Sequence, residues 1–254
     1  MMGFGALWRG AAGGAVLAAA LLAACSPAAE PEAAPAAPPV TESFTPAQAD
    51  DIGTIVRAYL INNPEVLEEA FQSLQEKRMA DAMAAMTSDP RAFSLGPQDA
   101  PITIVEFFDY QCTFCHQAMS WVFATQRARD DVRVVFMELP SLGPQSLEAS
   151  QAAIASMRQG KYLEFHRALM SHQGPLDAPT IDRLAQGVGL DVARMRRDMA
   201  SPEVEDMIAD AHDLAARVGG QGTPLFVING RMIPGFDQRS LDEALRDAAE
   251  EART

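Results

Sequence analysis

Cys112-Thr113-Phe114-Cys115 places two thiols three residues apart. On a helix that separation is close to one turn. If the pair opens a helix, the first sulfur lies where unpaired N–H groups and the helix dipole favour negative charge. A free thiol pKa of about 8.5 falls to roughly 3.5–7.5 in such settings, and the thiolate is the nucleophile. The second sulfur is then near enough to resolve a mixed disulfide formed on the first. On this reading Cys112 attacks and Cys115 releases. A zinc half-site is one alternative, but structural zinc takes about four ligands. The chain has no second Cys-x-x-Cys, and His166, His172 and His212 lack finger spacing. A structural disulfide is another, although so short a loop gains little from a cross-link. The expectation is a redox pair, no metal ligands, and no cofactor beyond a Cys112–Cys115 disulfide.

Positioning such a pair needs a strand, a turn and a helix. Ile102-Thr103-Ile104-Val105-Glu106-Phe107-Phe108 is a nearly continuous apolar run, the pattern of a central strand buried on both faces. Asp109 to Cys112 reads as a turn and residues 113–129 as a helix, with Met119, Val122 and Phe123 apolar. Val132 to Met137 reads as a second strand. Strand, helix, strand in that order predicts parallel pairing. Residues 145–217 carry helical segments broken at Gly160, Gly174-Pro175, Gly187 and Ser201-Pro202, with no strand signal. Pro224 to Asn229 is a further strand, and Asn229-Gly230 is a hairpin turn. Arg231 to Ile233 pairs back, and residues 239–251 form a last helix.

Upstream, residues 46–86 read as helix. Ile52, Ile55, Val56, Tyr59 and Leu60 recur at helical spacing. Asn63-Pro64 restarts the pattern, Asn as a good N-cap and Pro as a tolerated first helical residue. Val66, Leu67, Ala70, Phe71 and Leu74 form the next apolar stripe, continued by Met79, Met83 and Met86. The stripe needs a partner surface, either its own domain or a second copy of the chain.

The chain has 254 residues, 34 acidic and 20 Lys+Arg, with a net charge of −14. Such a balance argues against nucleic-acid binding, which needs clustered basic residues. Arg9 is the only charged side chain before Glu30, and residues 11–24 are Ala, Leu, Gly and Val. This is the pattern of a secretory signal. Its end, Leu22-Ala23-Ala24-Cys25, resembles the bacterial lipobox, which implies cleavage before Cys25 and lipidation of that residue. An uncleaved anchor helix is the competing reading. Export would leave Cys112 and Cys115 as the remaining cysteines, outside the reducing cytosol. Residues 25–43 are an Ala/Pro-rich tether, too poor in bulky side chains to fold. At about 3.1 Å per residue it would reach roughly 50 Å.

Three blocks then carry a resemblance. Val105 through Cys115 resembles the active-site strand and turn of the DsbA-like thioredoxin superfamily. Gly222-Thr223-Pro224-Leu225-Phe226-Val227-Ile228-Asn229-Gly230 resembles that family's cis-proline strand. Leu139-Pro140 through Gly143 to Ser146 resembles the lead-in to its helical insertion. Together they span roughly residues 100–250. The resemblance implies an α/β chain: a thioredoxin fold with an inserted helical domain, here preceded by an N-terminal helical segment. Together with the N-terminal pattern above, this divides the chain into a signal (1–24), a tether (25–43), a helical segment (44–88) and a thioredoxin domain (89–254) with its insertion at about 145–217. It also implies a cis Thr223-Pro224 bond that turns the Thr223 backbone toward Cys112, ready to pair with an extended substrate segment.

Related oxidoreductases often bury an acid below the disulfide, which is Glu106 here. A buried carboxylate of raised pKa could accept the Cys115 proton; a strand-end acid reaching solvent is the alternative. Thr113 and Phe114, between the cysteines, would set the redox poise, and they match neither of the best-known intervening pairs. His116 would tune the thiolate or face away from it. His166 reads as packing. Tyr59 through Leu67 is similar to the N-terminal segment of ScsC-like proteins, a DsbA-like branch linked to copper tolerance, whose segment can drive oligomerisation. The function expected is a periplasmic, membrane-anchored thiol–disulfide oxidoreductase. Its partners would be exported proteins with thiols or disulfides, a membrane redox partner and possible further copies of itself. By the lipoprotein resemblance, Ser26 after the lipidated Cys is compatible with sorting to the outer membrane, which is somewhat favoured. A copper- or peptide-binding lipoprotein whose cysteines are ligands is the alternative.

Overall fold

The structure is a computed structural model that describes residues 44–253. Cys25, the signal at 1–24 and the tether at 25–43 lie outside the described residues. By its internal contacts the chain divides after Asn62. The first unit contributes one described helix, α1 (Pro46–Asn62), opened by Thr45 and Gln48, whose side chains hydrogen-bond each other. No α1 residue is buried, and Ile55 and Ile61 are about two-thirds exposed.

The second unit begins with α2 (Glu65–Ser88). Pro64 already has helical dihedrals, and Leu67 N–H donates to its carbonyl, so the restart falls at Asn63-Pro64 as the pattern implied. The apolar stripe of α2 has two fates. Ala82 and Met86 are fully buried, with Met79 and Met83 packed beside them, whereas Leu67, Phe71 and Leu74 are exposed. The helical segment expected at 44–88 is therefore split. The end of α2 is core because its Met and Ala side chains cover one face of the sheet.

That sheet has five strands in the order β1-β3-β2-β4-β5: β1 (Phe93–Leu95), β2 (Ile102–Phe108), β3 (Val132–Glu138), β4 (Leu225–Ile228) and β5 (Arg231–Pro234). β2 and β3 pair in parallel, and the other pairings are antiparallel. β2 is central, which explains its lack of alternation: both faces are covered. Ile104 and Phe108 face one cluster, with α3 (Thr113–Ala128), α5 (Tyr162–Ser171) and α9 (Gln238–Glu251). Val105 and Phe107 face the other, with α2 and α8 (Pro202–Arg217). α4 (Pro144–Ser156), α5, α6 (Ala178–Gly187), α7 (Val192–Asp198) and α8 form the helical insertion between β3 and β4, close to the expected 145–217.

β1 was not expected. Three residues are too few to display a period, and its partner is the outer edge of β3. The hairpin turn is as predicted: Asn229 and Gly230 both have positive φ, +43° and +91°. The Asn229 side chain does more than turn. Its Oδ1 accepts from Thr103 N–H at 2.8 Å and its Nδ2 donates to the Pro101 carbonyl at 3.1 Å, tying the turn to the start of β2.

Candidate active site at the start of helix α3

β2 ends at Phe108, and four residues later Cys112 occupies the N-cap of α3 in extended conformation. The turn is closed by Cys112 N–H donating to the Asp109 carbonyl at 3.0 Å. Cys115 lies one turn into α3 and is fully buried, while Cys112 is 7% exposed. Both are free thiols. The buried Cys115 thiol donates to Cys112 and is the largest influence bringing the Cys112 pKa down to about 5. Burial works against this, and the Thr223 side chain and the N–H groups of Cys115 and Phe114 add to it. Burial pushes Cys115 far above the ordinary thiol range, with its bond to Cys112 adding and the Glu106 charge contributing least. One thiol is thus poised to be ionised and its neighbour to hold its proton.

The Thr223-Pro224 bond is cis, as the resemblance implied. The Thr223 carbonyl faces the pair and accepts from Cys112 Sγ at 3.3 Å. Thr223 is half-buried and Pro224 buried. Thr113 is exposed, and Phe114 is 58% exposed, so both present themselves to solvent beside Cys112.

Glu106 does not reach solvent. It is buried, its Oε1 lacks a hydrogen-bond partner, and burial raises its pKa to about 8. It shares a sheet face with Ile104 and Phe108 by strand alternation, which is the face α3 packs on. His116 sits at the turn rather than free on the surface. It is half-buried, and its Nε2 hydrogen-bonds the Tyr110 carbonyl at 2.7 Å, within the turn itself.

Several site residues were not read from the sequence. Asp109 is fully buried and accepts four hydrogen bonds, described below. Tyr110 is also fully buried, and its hydroxyl lies 2.8 Å from Glu138 Oε1 and 3.0 Å from His166 Nδ1. Tyr162 donates to the same Glu138 oxygen at 2.9 Å. Burial raises Glu138 to about 8 and lowers His166 to about 3. His166 does pack, edge-on to Phe108 and stacked on Tyr162, but it also serves this network. Asp109-Tyr110 follow β2 and Glu138 ends β3, but their donors and acceptors come from segments far along the chain, which residue types and spacing do not reveal. Among the described residues, no group of three or more His, Cys, Asp or Glu side chains is placed to hold a metal ion.

Comparison with known proteins places this geometry. The family model described as a DSBA-like thioredoxin domain matches residues 103–246. The model described as the copper resistance protein ScsC N-terminal domain matches residues 48–80. A thioredoxin-like oxidoreductase from Silicibacter pomeroyi DSS-3 is 42% identical in sequence, covers 67% of this chain and 96% of its own, and has a TM-score of 0.63. A linker-deletion mutant of Proteus mirabilis ScsC is 27% identical, covers 83% of this chain and 99% of its own, and has a TM-score of 0.64. Among curated proteins, the Na(+)/H(+) antiporter NhaA 3 of Salinispora tropica is 34% identical over 161 residues, 62% of this chain. The chain spans about a quarter of the length of the curated relatives it matches.

Proposed function

The chain belongs to the DSBA-like thioredoxin family, and on that footing we propose that it is a protein thiol–disulfide oxidoreductase acting through Cys112 and Cys115. The observation that carries this reading is the asymmetry of the pair: Cys112 brought down to about 5 beside a Cys115 held protonated. In the reductive direction the Cys112 thiolate attacks a substrate disulfide. One sulfur of the substrate leaves as a thiolate, and a mixed disulfide forms on Cys112. Cys115 then gives up its proton and attacks Cys112, which closes the Cys112–Cys115 disulfide and releases the second substrate sulfur as a thiolate. The oxidative direction is the reverse. A stabilised Cys112 thiolate serves both, because a thiolate of low pKa is a good leaving group and a mostly ionised attacker near neutral pH.

Glu106 is the acceptor of the Cys115 proton. It is the buried acid whose charge Cys115 senses, and it has no competing ion pair on its Oε1. Thr223 offers its backbone to an extended substrate segment, with Pro224 closing the site behind it. Thr113 and Phe114 set how well the thiolate is held, since the Phe114 N–H already contributes. The pair needs no other cofactor.

A similar solved protein, a thioredoxin-like protein from Salmonella enterica serovar Typhimurium, is described as periplasmic. For this chain we place the folded unit in the periplasm as well, tethered to the membrane, with the outer membrane favoured, through a lipidated Cys25. Its substrates are exported proteins carrying thiols or disulfides, and a membrane protein resets its redox state. The exposed apolar residues of α1 and of the first half of α2 support self-association. Reactivation of scrambled ribonuclease by the wild type, lost in Cys112→Ala, supports the reading; equal activity of the two proteins contradicts it.

A further inference from the structure

Asp109 has more hydrogen bonds than any thiol chemistry requires. Its Oδ1 accepts from Gln111 N–H at 2.7 Å and from the Ser146 hydroxyl at 2.7 Å. Its Oδ2 accepts from Ser141 N–H at 2.7 Å and Leu142 N–H at 2.9 Å. Its own carbonyl accepts the Cys112 N–H at 3.0 Å. The carboxylate is fully buried, and its partners are four N–H and O–H donors. Two of them lie in the loop after β3 and one in the first turn of α4, more than thirty residues away in sequence.

Two neighbouring ties follow the same line. Leu139 N–H donates to the Phe108 carbonyl at 2.9 Å, and Gln111 Nε2 donates to Gln145 Oε1 at 2.8 Å. The segment 139–146 is therefore laced to the segment 108–111, with Asp109 at the centre. Without that centre, three backbone N–H groups and a buried hydroxyl would need new acceptors. The cheapest way to find them is for the turn and the loop to separate. The N–H groups that favour the Cys112 thiolate lie at the start of α3, on the far side of that turn.

We infer that Asp109 is a positioning residue for the reaction: by clamping the 139–146 loop to the 108–111 turn, it holds Cys112 against the Cys115 thiol and the N–H groups at the start of α3 that stabilise its thiolate. This rests on the proposed role of Cys112. Asp109 does not touch the sulfur through its side chain, and its charge alone would oppose the thiolate. Sign therefore separates geometry from charge. If Asp109 acted only as a nearby anion, its removal would ease ionisation of Cys112; if it acts as a clamp, its removal hinders ionisation. The other titratable groups around the turn are Cys115 and His116 on α3, Glu106 on β2, Tyr110 in the turn, Glu138 on β3 and Tyr162 and His166 on α5. All keep their identity in the variants below.

The test is the ultraviolet thiolate absorbance of the reduced full chain against pH, in the wild type, Asp109→Asn and Ser146→Ala. Cys112→Ala serves as the blank. An Asn at 109 cannot accept all four bonds, because its NH2 must face a donor. Ser146→Ala removes one bond and leaves the carboxylate. The expected result is an upward shift of the Cys112 titration by about one unit in Asp109→Asn, a tenfold change in its ionisation constant. Ser146→Ala shifts it the same way by less. An unchanged or downward titration in Ser146→Ala overturns the inference, and that variant decides the matter if Asp109→Asn does not fold. A wild type with no depressed titration to compare would instead overturn the proposed role of Cys112.

Discussion

Glu106 and Cys112 carry perturbed protonation in opposite senses, and each leaves its own signature in stability against pH. Cys112 has a folded pKa of about 5, below its ordinary value near 9. It stabilises the reduced protein fully above about 9, and that stabilisation is lost as pH falls through 5. Glu106 has a folded pKa of about 8, above its ordinary 4.5. Its contribution is fully present below 4.5 and is lost as pH rises through 8. Glu106→Gln removes only the second dependence. The variant's melting temperature should therefore gain on the wild type steadily between about pH 4.5 and 8, with a constant difference below that window. A constant difference across the whole range would show that Glu106 titrates normally. The same variant should resolve mixed disulfides about 10²-fold more slowly, the low end of what a positioned base supplies; stopped-flow measurement of resolution checks this. The Cys112–Cys115 pair was legible from residue types and spacing, and the cis Thr223-Pro224 bond that brings the Thr223 carbonyl to Cys112 was legible from the resemblance. Asp109 and the Glu138–Tyr110–His166 network were not legible, because a buried acid is recognised by its donors, and these come from segments far along the chain.

At the scale of elements, strands β2 to β5 and helices α3, α8 and α9 follow from apolar runs, breakers and the Asn-Gly turn. β1 does not, and neither does the division of α2, whose apolar stripe runs on without a break although only its end meets the sheet. Packing between segments decides both. The hairpin turn carries a prediction of its own. Asn229→Ala leaves the Thr103 N–H and the Pro101 carbonyl without their partners and removes a residue suited to positive φ. It should cost about 1–3 kcal/mol, read as a lower urea midpoint with an unchanged slope. Gly96 is a second such position: at φ +98°, an added Cβ would sit 2.2 Å from the Val132 carbonyl oxygen. Gly96→Ala should push the end of β1 away from the start of β3 and lower the urea midpoint at least as far as Asn229→Ala.

Over the whole molecule, the two units impose different demands. The thioredoxin unit buries its own core, and α2 contributes Ala82 and Met86 to it. A version beginning at Thr87 would strip that core, whereas one beginning at Asn63 would keep it. α1 instead leaves Ile52, Ile55, Val56, Tyr59 and Ile61 exposed, and α2 leaves Leu67, Phe71 and Leu74 exposed. Side chains of this kind in such number ask for a cover. On the proposed self-association, Ile55→Glu together with Phe71→Glu should reduce the solution mass by light scattering to that of one chain and leave the thioredoxin unit's melting temperature unchanged. A mass already equal to one chain in the wild type would assign those residues another partner.

The most direct measurement of the central claim is a trapping experiment. Reduced Cys115→Ala is mixed with a peptide containing a disulfide, and the product is analysed by intact mass and by peptide mapping. The account predicts a stable one-to-one mixed disulfide on Cys112 that the wild type resolves. No adduct on Cys112, or equal persistence of the adduct in the wild type, would contradict it.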